Sequence, residues 1–177
     1  IGGQVCYVVA DGGDILLRTT RNGLAEESVG AVGVPNIEGS AYWPGSETLY
    51  AANSGDFGTL NTTTGAFTSI GAIGSGDGSE GTIALNDADG LAFDPLTGIL
   101  WASHRRDGDT DDLLFQINTT TGAFIPDAFG AGVDYVVIAA FAVTGLGDID
   151  DMAIDAIDGT LFAINNTSGS DWLITID

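Results

Sequence analysis

The 177-residue sequence has no lysine, one cysteine, one histidine and four prolines, and each shortage excludes something. Arg18, Arg21, Arg105 and Arg106 are the whole basic complement against 25 acidic residues, which leaves a net charge of −21. A field of that sign repels phosphate backbones and anionic lipid, so nucleic acid and membrane surfaces are excluded as partners. A single cysteine permits no internal disulfide. Cys6 falls in the apolar run Val5-Cys6-Tyr7-Val8-Val9, which predicts an inert, buried thiol. His104 alone offers no cluster for zinc, and no G-x-S-x-G elbow is present. The longest apolar stretch, Tyr135 to Val143, is strand-length and falls short of the roughly 18 residues a membrane helix needs, so no membrane insertion is expected.

Glycine is abundant, at 27 residues, and 44% of the chain is hydrophobic. The mean hydropathy is +0.24. This is the composition of a folded single domain over 1–177 with short strands and glycine turns, and no helical periodicity runs through it. A compact state with so much self-repulsion calls for counter-ions. Bound Ca²⁺ or a saline medium would supply them, and both point to an extracellular or cell-surface location. The chain starts at Ile1 without Met or a signal peptide, as a processed product or an excised fragment would.

Internal repeats decide the expected fold. One segment recurs as Ile37-Glu38-Gly39-Ser40-Ala41-Tyr42, Ala88-Asp89-Gly90-Leu91-Ala92-Phe93 and Ile149-Asp150-Asp151-Met152-Ala153-Ile154. Its acidic residues Glu38, Asp89 and Asp150 stand 51 and 61 residues apart. A second segment keeps the same intervals through Tyr50, Trp101 and Phe162, with Tyr7 as the matching residue near the start. A third begins with Asp56, Asp112 or Asp171, and the first two of these lead into near copies, Asn61-Thr62-Thr63-Thr64-Gly65-Ala66-Phe67 and Asn118-Thr119-Thr120-Thr121-Gly122-Ala123-Phe124. Each unit therefore reads as four short antiparallel strands, a to d, joined by hairpin turns, which is an all-β propeller-type blade. The expected units are 4–31, 36–72, 86–127 and 147–177, about three and a half blades in all. Gly74-Ser75-Gly76-Asp77-Gly78 reads as a flexible linker between units.

The first unit lacks strand a and the last lacks strand d, giving 3 + 4 + 4 + 3 strands. The chain is expected to be completed by the remainder of a longer chain or by self-association with neighbouring copies.

The stretches from Asp87 to Ala102 and the Asn-Thr-Thr-Thr-Gly-Ala-Phe copies resemble bacterial secreted and cell-surface β-propeller repeat proteins of the Thr-Gly-rich kind and, more distantly, phytase-like esterase propellers. The resemblance implies fold rather than activity, since propellers host enzymes, adhesins and scaffolds alike.

Strand a lines the central channel of a propeller, so Glu38, Asp89 and Asp150, with Asp87, Asp148 and Asp151 alongside, are expected to converge on the axis. Converging carboxylates repel one another unless a cation joins them, and their hard oxygens favour Ca²⁺. In the resembling families the equivalent position can hold a metal. The alternative is that each carboxylate caps its own turn. A second candidate is the loop Arg105 to Asp112, where Asp107, Asp109 and Asp111 have the alternating spacing of calcium loops but lack the later glycine and distal glutamate of an EF-hand. Asn61, Asn118, Asn165 and Asn166 stand in Asn-x-Ser/Thr triplets that fit glycosylation acceptors on surface turns. His104 occupies the slot of Asn53 and Asn165, which points to a structural position. The expected function is an extracellular structural or adhesive propeller that binds Ca²⁺. A calcium-dependent hydrolase of the phytase-like class, and a glycan-binding module using aromatics such as Trp43, are the alternatives.

Overall fold

Side chains alternate across short strands, and tight turns interrupt the chain before any strand exceeds seven residues. A computed structural model describes residues 5–10, 14–20, 26–106, 110–139, 146–167 and 170–176. Asp107 and Asp109 lie outside the described residues. All regular structure among the described residues is β, and no helix is long and apolar enough to cross a membrane.

The first sheet holds β1 (Val5–Ala10), β2 (Ile15–Thr20) and β3 (Glu26–Ala31). The second holds β4 (Ile37–Trp43), β5 (Thr48–Asn53), β6 (Asp56–Leu60) and β7 (Phe67–Ala72). A two-stranded hairpin follows, β8 (Ser75–Gly78) and β9 (Gly81–Ala84). The third sheet is β10 (Ala88–Phe93), β11 (Leu100–His104), β12 (Leu113–Ile117) and β13 (Tyr135–Val137). The last is β14 (Ile149–Ile154), β15 (Leu161–Thr167) and β16 (Ser170–Ile176). Every pairing is antiparallel between consecutive strands. Inner strand β10 lies against both β4 and β14.

The sheets stack face to face, and alternation along one strand feeds two cores. Leu49 and Ala51 of β5 enter the core shared with the first sheet, together with Leu16 and Leu60. Their neighbours Tyr50 and Ala52 join the core shared with the third sheet, around Phe57, Leu91, Phe115 and Tyr135. Leu113 and Phe115 of β12 belong to that same core, whereas Leu114 turns toward Met152, Leu161 and Ala163 of the fourth sheet. Two-sided burial of this kind explains why the middle strands read as near-continuous apolar runs.

The Asn-Thr-Thr-Thr-Gly turns are held by their own side chains. Asn61 Oδ1 accepts from the N–H groups of Thr63 and Thr64 at 2.9 and 3.0 Å, and Asn118 does the same for Thr120 and Thr121 at 2.9 and 3.2 Å. Gly122 sits in the left-handed region at φ +79°, and a Cβ there would stand 2.6 Å from the carbonyl oxygen of Gly71 in the preceding sheet. The turn of one sheet is therefore seated on the last strand of the sheet before it. Gly122→Ala is expected to cost on the order of 2 kcal/mol through the unfavourable φ and the displaced contact, seen by calorimetry as a lower melting temperature at unchanged circular dichroism.

Three expectations need correction. Gly74 to Gly78 contributes to the β8–β9 hairpin rather than a flexible linker. Tyr135 Oη donates to Gly81 O at 2.9 Å, and Asp134 Oδ2 accepts from Asp77 N–H at 2.8 Å, so the third sheet holds the hairpin from outside the segment. The fourth strand of the third sheet is Tyr135–Val137, beyond residue 127. After the turn Phe124 makes one bridge to Ile117, and Pro126 follows with no N–H to continue a ladder, so the chain loops out and returns later. Cys6 is exposed rather than buried. It holds the position of Leu49, Leu100 and Leu161, each buried against a preceding sheet, and no described residues cover the matching face of the first sheet.

Candidate metal centre

Each inner strand is broken by a bulge at its acidic residue. Register shifts fall between Ile37 and Ser40, between Ala88 and Leu91, and between Ile149 and Asp151. Glu38, Asp89 and Asp150 sit at these shifts, where a strand gives up pairing and re-aims a side chain. Gly39 lets the adjoining inner strands approach, since a Cβ there would stand 2.9 Å from the carbonyl oxygen of Asp89.

The result is a convergence of five carboxylates in two trios. One oxygen each of Glu38, Asp87 and Asp89 lie within 4.8 Å of one another, and so do oxygens of Asp89, Asp148 and Asp150. The expected meeting of Glu38, Asp89 and Asp150 at one centre is thus divided, with Glu38 and Asp150 in different trios and Asp89 common to both. Asp111 does not join them, because its Oδ1 accepts from Leu146 N–H at 2.9 Å.

Asp89 is 5% exposed. Burial, followed by the charges of Asp87 and Glu38, pushes its carboxyl up to about 8, and it shares a hydrogen bond with Glu38. Partial desolvation, then the charge of Asp87, raises Glu38 as well. Desolvation raises Asp148 despite the opposing charge of Arg105. Arg105 Nη2 stands 3.0 Å from Asp148 Oδ1 and its Nη1 stands 4.0 Å from Asp89 Oδ2. The first contact is an ion pair without hydrogen-bond alignment, and Asp148 Oδ1, shielded from water, takes no hydrogen bond.

Arg105 is the group that the sequence reading missed, because a loop side chain carries no periodic signal. Its neighbour Arg106 turns away to pair with Glu80. The slot expected to be structural in His104 closes the loop ahead of the inner strand in the third and fourth sheets. His104 is buried with Nδ1 3.0–3.2 Å from the backbone of Asp87, and Asn165 Oδ1 accepts from Asp148 N–H at 3.3 Å. Burial lowers His104 below its ordinary value by disfavouring the charged ring. Asn165 is fully buried and cannot serve as a surface glycan acceptor, whereas Asn61, Asn118 and Asn166 are exposed. Trp43 is half-buried, its ring centroid 5.0 Å from that of Phe93, so it packs between sheets.

The donor set suits calcium. Oxygens bound to one Ca²⁺ at 2.3–2.6 Å stand at most about 5 Å apart, and each trio meets that limit with carboxylate oxygen alone.

No protein-family model matches the sequence, and no curated protein matches it. Solved structures do. A chain of a nidogen/laminin complex aligns with 98% of this chain at 12% identity and a TM-score of 0.59. Glutaminyl cyclase of Myxococcus xanthus aligns with 100% of it at 14% identity and a TM-score of 0.59. Hydrazine synthase of Kuenenia stuttgartiensis aligns with 97% at 18% identity and a TM-score of 0.55. The matches are of β-propeller type. The four stacked sheets are propeller blades. This chain spans 57% of the nidogen/laminin chain, 42% of the hydrazine synthase chain and 72% of the cyclase chain, and identities this low carry the fold alone. In blade terms, Glu38, Asp89 and Asp150 belong to the innermost strands of the second, third and fourth blades, and Asp87 and Asp148 immediately precede the last two of those strands.

Proposed function

We propose that the chain is a calcium-binding structural or adhesive module of an extracellular or cell-surface propeller protein. The observation that carries this reading is the pair of trios at the starts of three inner strands, joined through buried Asp89. A cation at either trio would cross-link successive blades at their inner edge and cancel repulsion that, among the described residues, is relieved by Arg105 and a shared proton. Calcium tolerates irregular carboxylate geometry better than magnesium, which demands a near-ideal octahedron. A net charge of −21 is best tolerated in a saline, calcium-rich medium.

Thermal melting in calcium and in chelator tests the proposal. At a concentration about 100-fold above its Kd, calcium adds about 2.7 kcal/mol, a rise of roughly 5–10 °C for a chain of this size. Asp89→Asn removes the ligand common to both trios and is expected to abolish the rise. Equal melting of the wild-type chain in calcium and in chelator would refute the proposal.

A further inference from the structure

Each interface between consecutive blades in this chain is built in one way. One blade offers the face that carries its β1-, β5- or β11-type aromatic: Tyr7, Tyr50 or Trp101. The next blade offers the opposite face, with Leu49 and Ala51, Leu100 and Ala102, or Leu161 and Ala163. The fourth blade repeats the first kind of face and the first blade repeats the second.

Both outward faces carry apolar side chains that no described residue covers, each with an acidic residue beside them: Asp151 on the fourth blade, and on the first Glu26, which pairs with Thr19 next to Cys6. On the fourth blade, Phe162 stands where Tyr50 and Trp101 stand, beside Ile164 and Leu173. Ile164 is 47% exposed and Leu173 70%, whereas Ala52 and Ser103, at the position of Ile164, are 0% exposed. Phe162, Ile164 and Leu173 line a dimple of about 110 Å³ together with Met152, Ala153, Ala163 and the acidic Asp151. On the first blade, Cys6 and Val8 occupy the positions of Leu49 and Ala51, and Val8 is 49% exposed. Val8 pairs with Leu17, which extends the same face onto β2. In a chain with 25 acidic residues, β1 and β2 bring only Arg18 as a charged side chain, and it pairs with Tyr7 on the other face.

We propose that the fourth blade of one copy stacks on the first blade of a second copy, continuing the blade-to-blade interface of the chain. The contact is heterologous: Phe162, Ile164 and Leu173 of one copy cover Cys6, Val8 and Leu17 of the next. Repetition closes a ring if the rotation permits and otherwise extends a filament. The inference deepens the structural-module reading above, and it names the partner as a second copy.

Light scattering over a concentration series, together with alkylation of Cys6, tests it in calcium and in chelator. Wild-type chain is expected to associate as concentration rises, and Cys6 to become about tenfold slower to alkylate. Leu173→Lys and Val8→Lys replace exposed side chains, so folding is retained, and each variant alone is expected to stay monomeric. An equimolar mixture is expected to form a one-to-one complex, because each variant keeps the face that the other has lost. A wild-type chain that stays monomeric, with Cys6 equally reactive at every concentration, overturns the proposal, as does a mixture that fails to pair. Calcium affinity from titration is read separately, so loss of association with calcium binding intact overturns stacking alone.

Discussion

Asp112→Ala is expected to lower the melting temperature by roughly 6–12 °C, following a loss on the order of 3 kcal/mol. Asp112 is fully buried at the junction of the third and fourth blades. Its Oδ2 accepts from Ile149 N–H at 2.7 Å and its Oδ1 from Arg106 N–H at 3.0 Å. Ile149 opens the innermost strand of the fourth blade, so one carboxylate fixes both the loop that carries Arg105 and the strand that carries Asp150. Removing it leaves two backbone donors without this partner, the Ile149 N–H in a buried site and the Arg106 N–H in a part-buried one. Asp112→Asn, which keeps one acceptor oxygen, is expected to lose about half as much. Calorimetry of the three proteins checks the ranking; an alanine variant that melts with the wild type would contradict it.

The second large effect is a reversed pH dependence of the metal-free chain. Burial holds the carboxyl of Asp112 up to about 6 and that of Asp89 up to about 8, above the ordinary value near 3.8 at which each titrates once unfolded. Between those limits the folded state binds protons that the unfolded state releases. Stability is therefore fully present below the unfolded value and is lost as pH rises through about 6 and then about 8. In chelator, the melting temperature is expected to fall on the order of 5–10 °C between pH 5.5 and 8.5. Asp89→Asn is expected to flatten the upper part of this fall. Calcium is expected to reverse it, since metal binding needs the deprotonated carboxylates. A melting temperature that climbs steadily to pH 8.5 in chelator would contradict the raised values.

The blades were legible in the sequence because β-structure writes its period into the chain. Tyr50, Trp101 and Phe162 recur at one strand position, and Asn61 and Asn118 recur ahead of glycine at turns that need a left-handed residue. Convergence of the inner acidic residues was legible through the same register. Their division into two trios was not, because it depends on bulges at Glu38, Asp89 and Asp150 that displace side chains by amounts no repeat reveals. The β8–β9 hairpin escaped notice because Ser75 to Gly78 has no apolar alternation and is held by Tyr135 and Asp134, more than fifty residues away. Cys6 shows a related limit. Alternation identifies its strand, but whether another sheet covers that strand is a property of the assembly.

Calorimetric titration of calcium into the chelator-treated chain at pH 7.5 is the most direct test of the central claim. The account predicts saturable binding accompanied by proton release, because the proton shared by Glu38 and Asp89 leaves as the ion enters. It predicts that Asp89→Asn removes that binding while the blades remain folded by circular dichroism. Absence of binding in the wild type, or undiminished binding in Asp89→Asn, would contradict it.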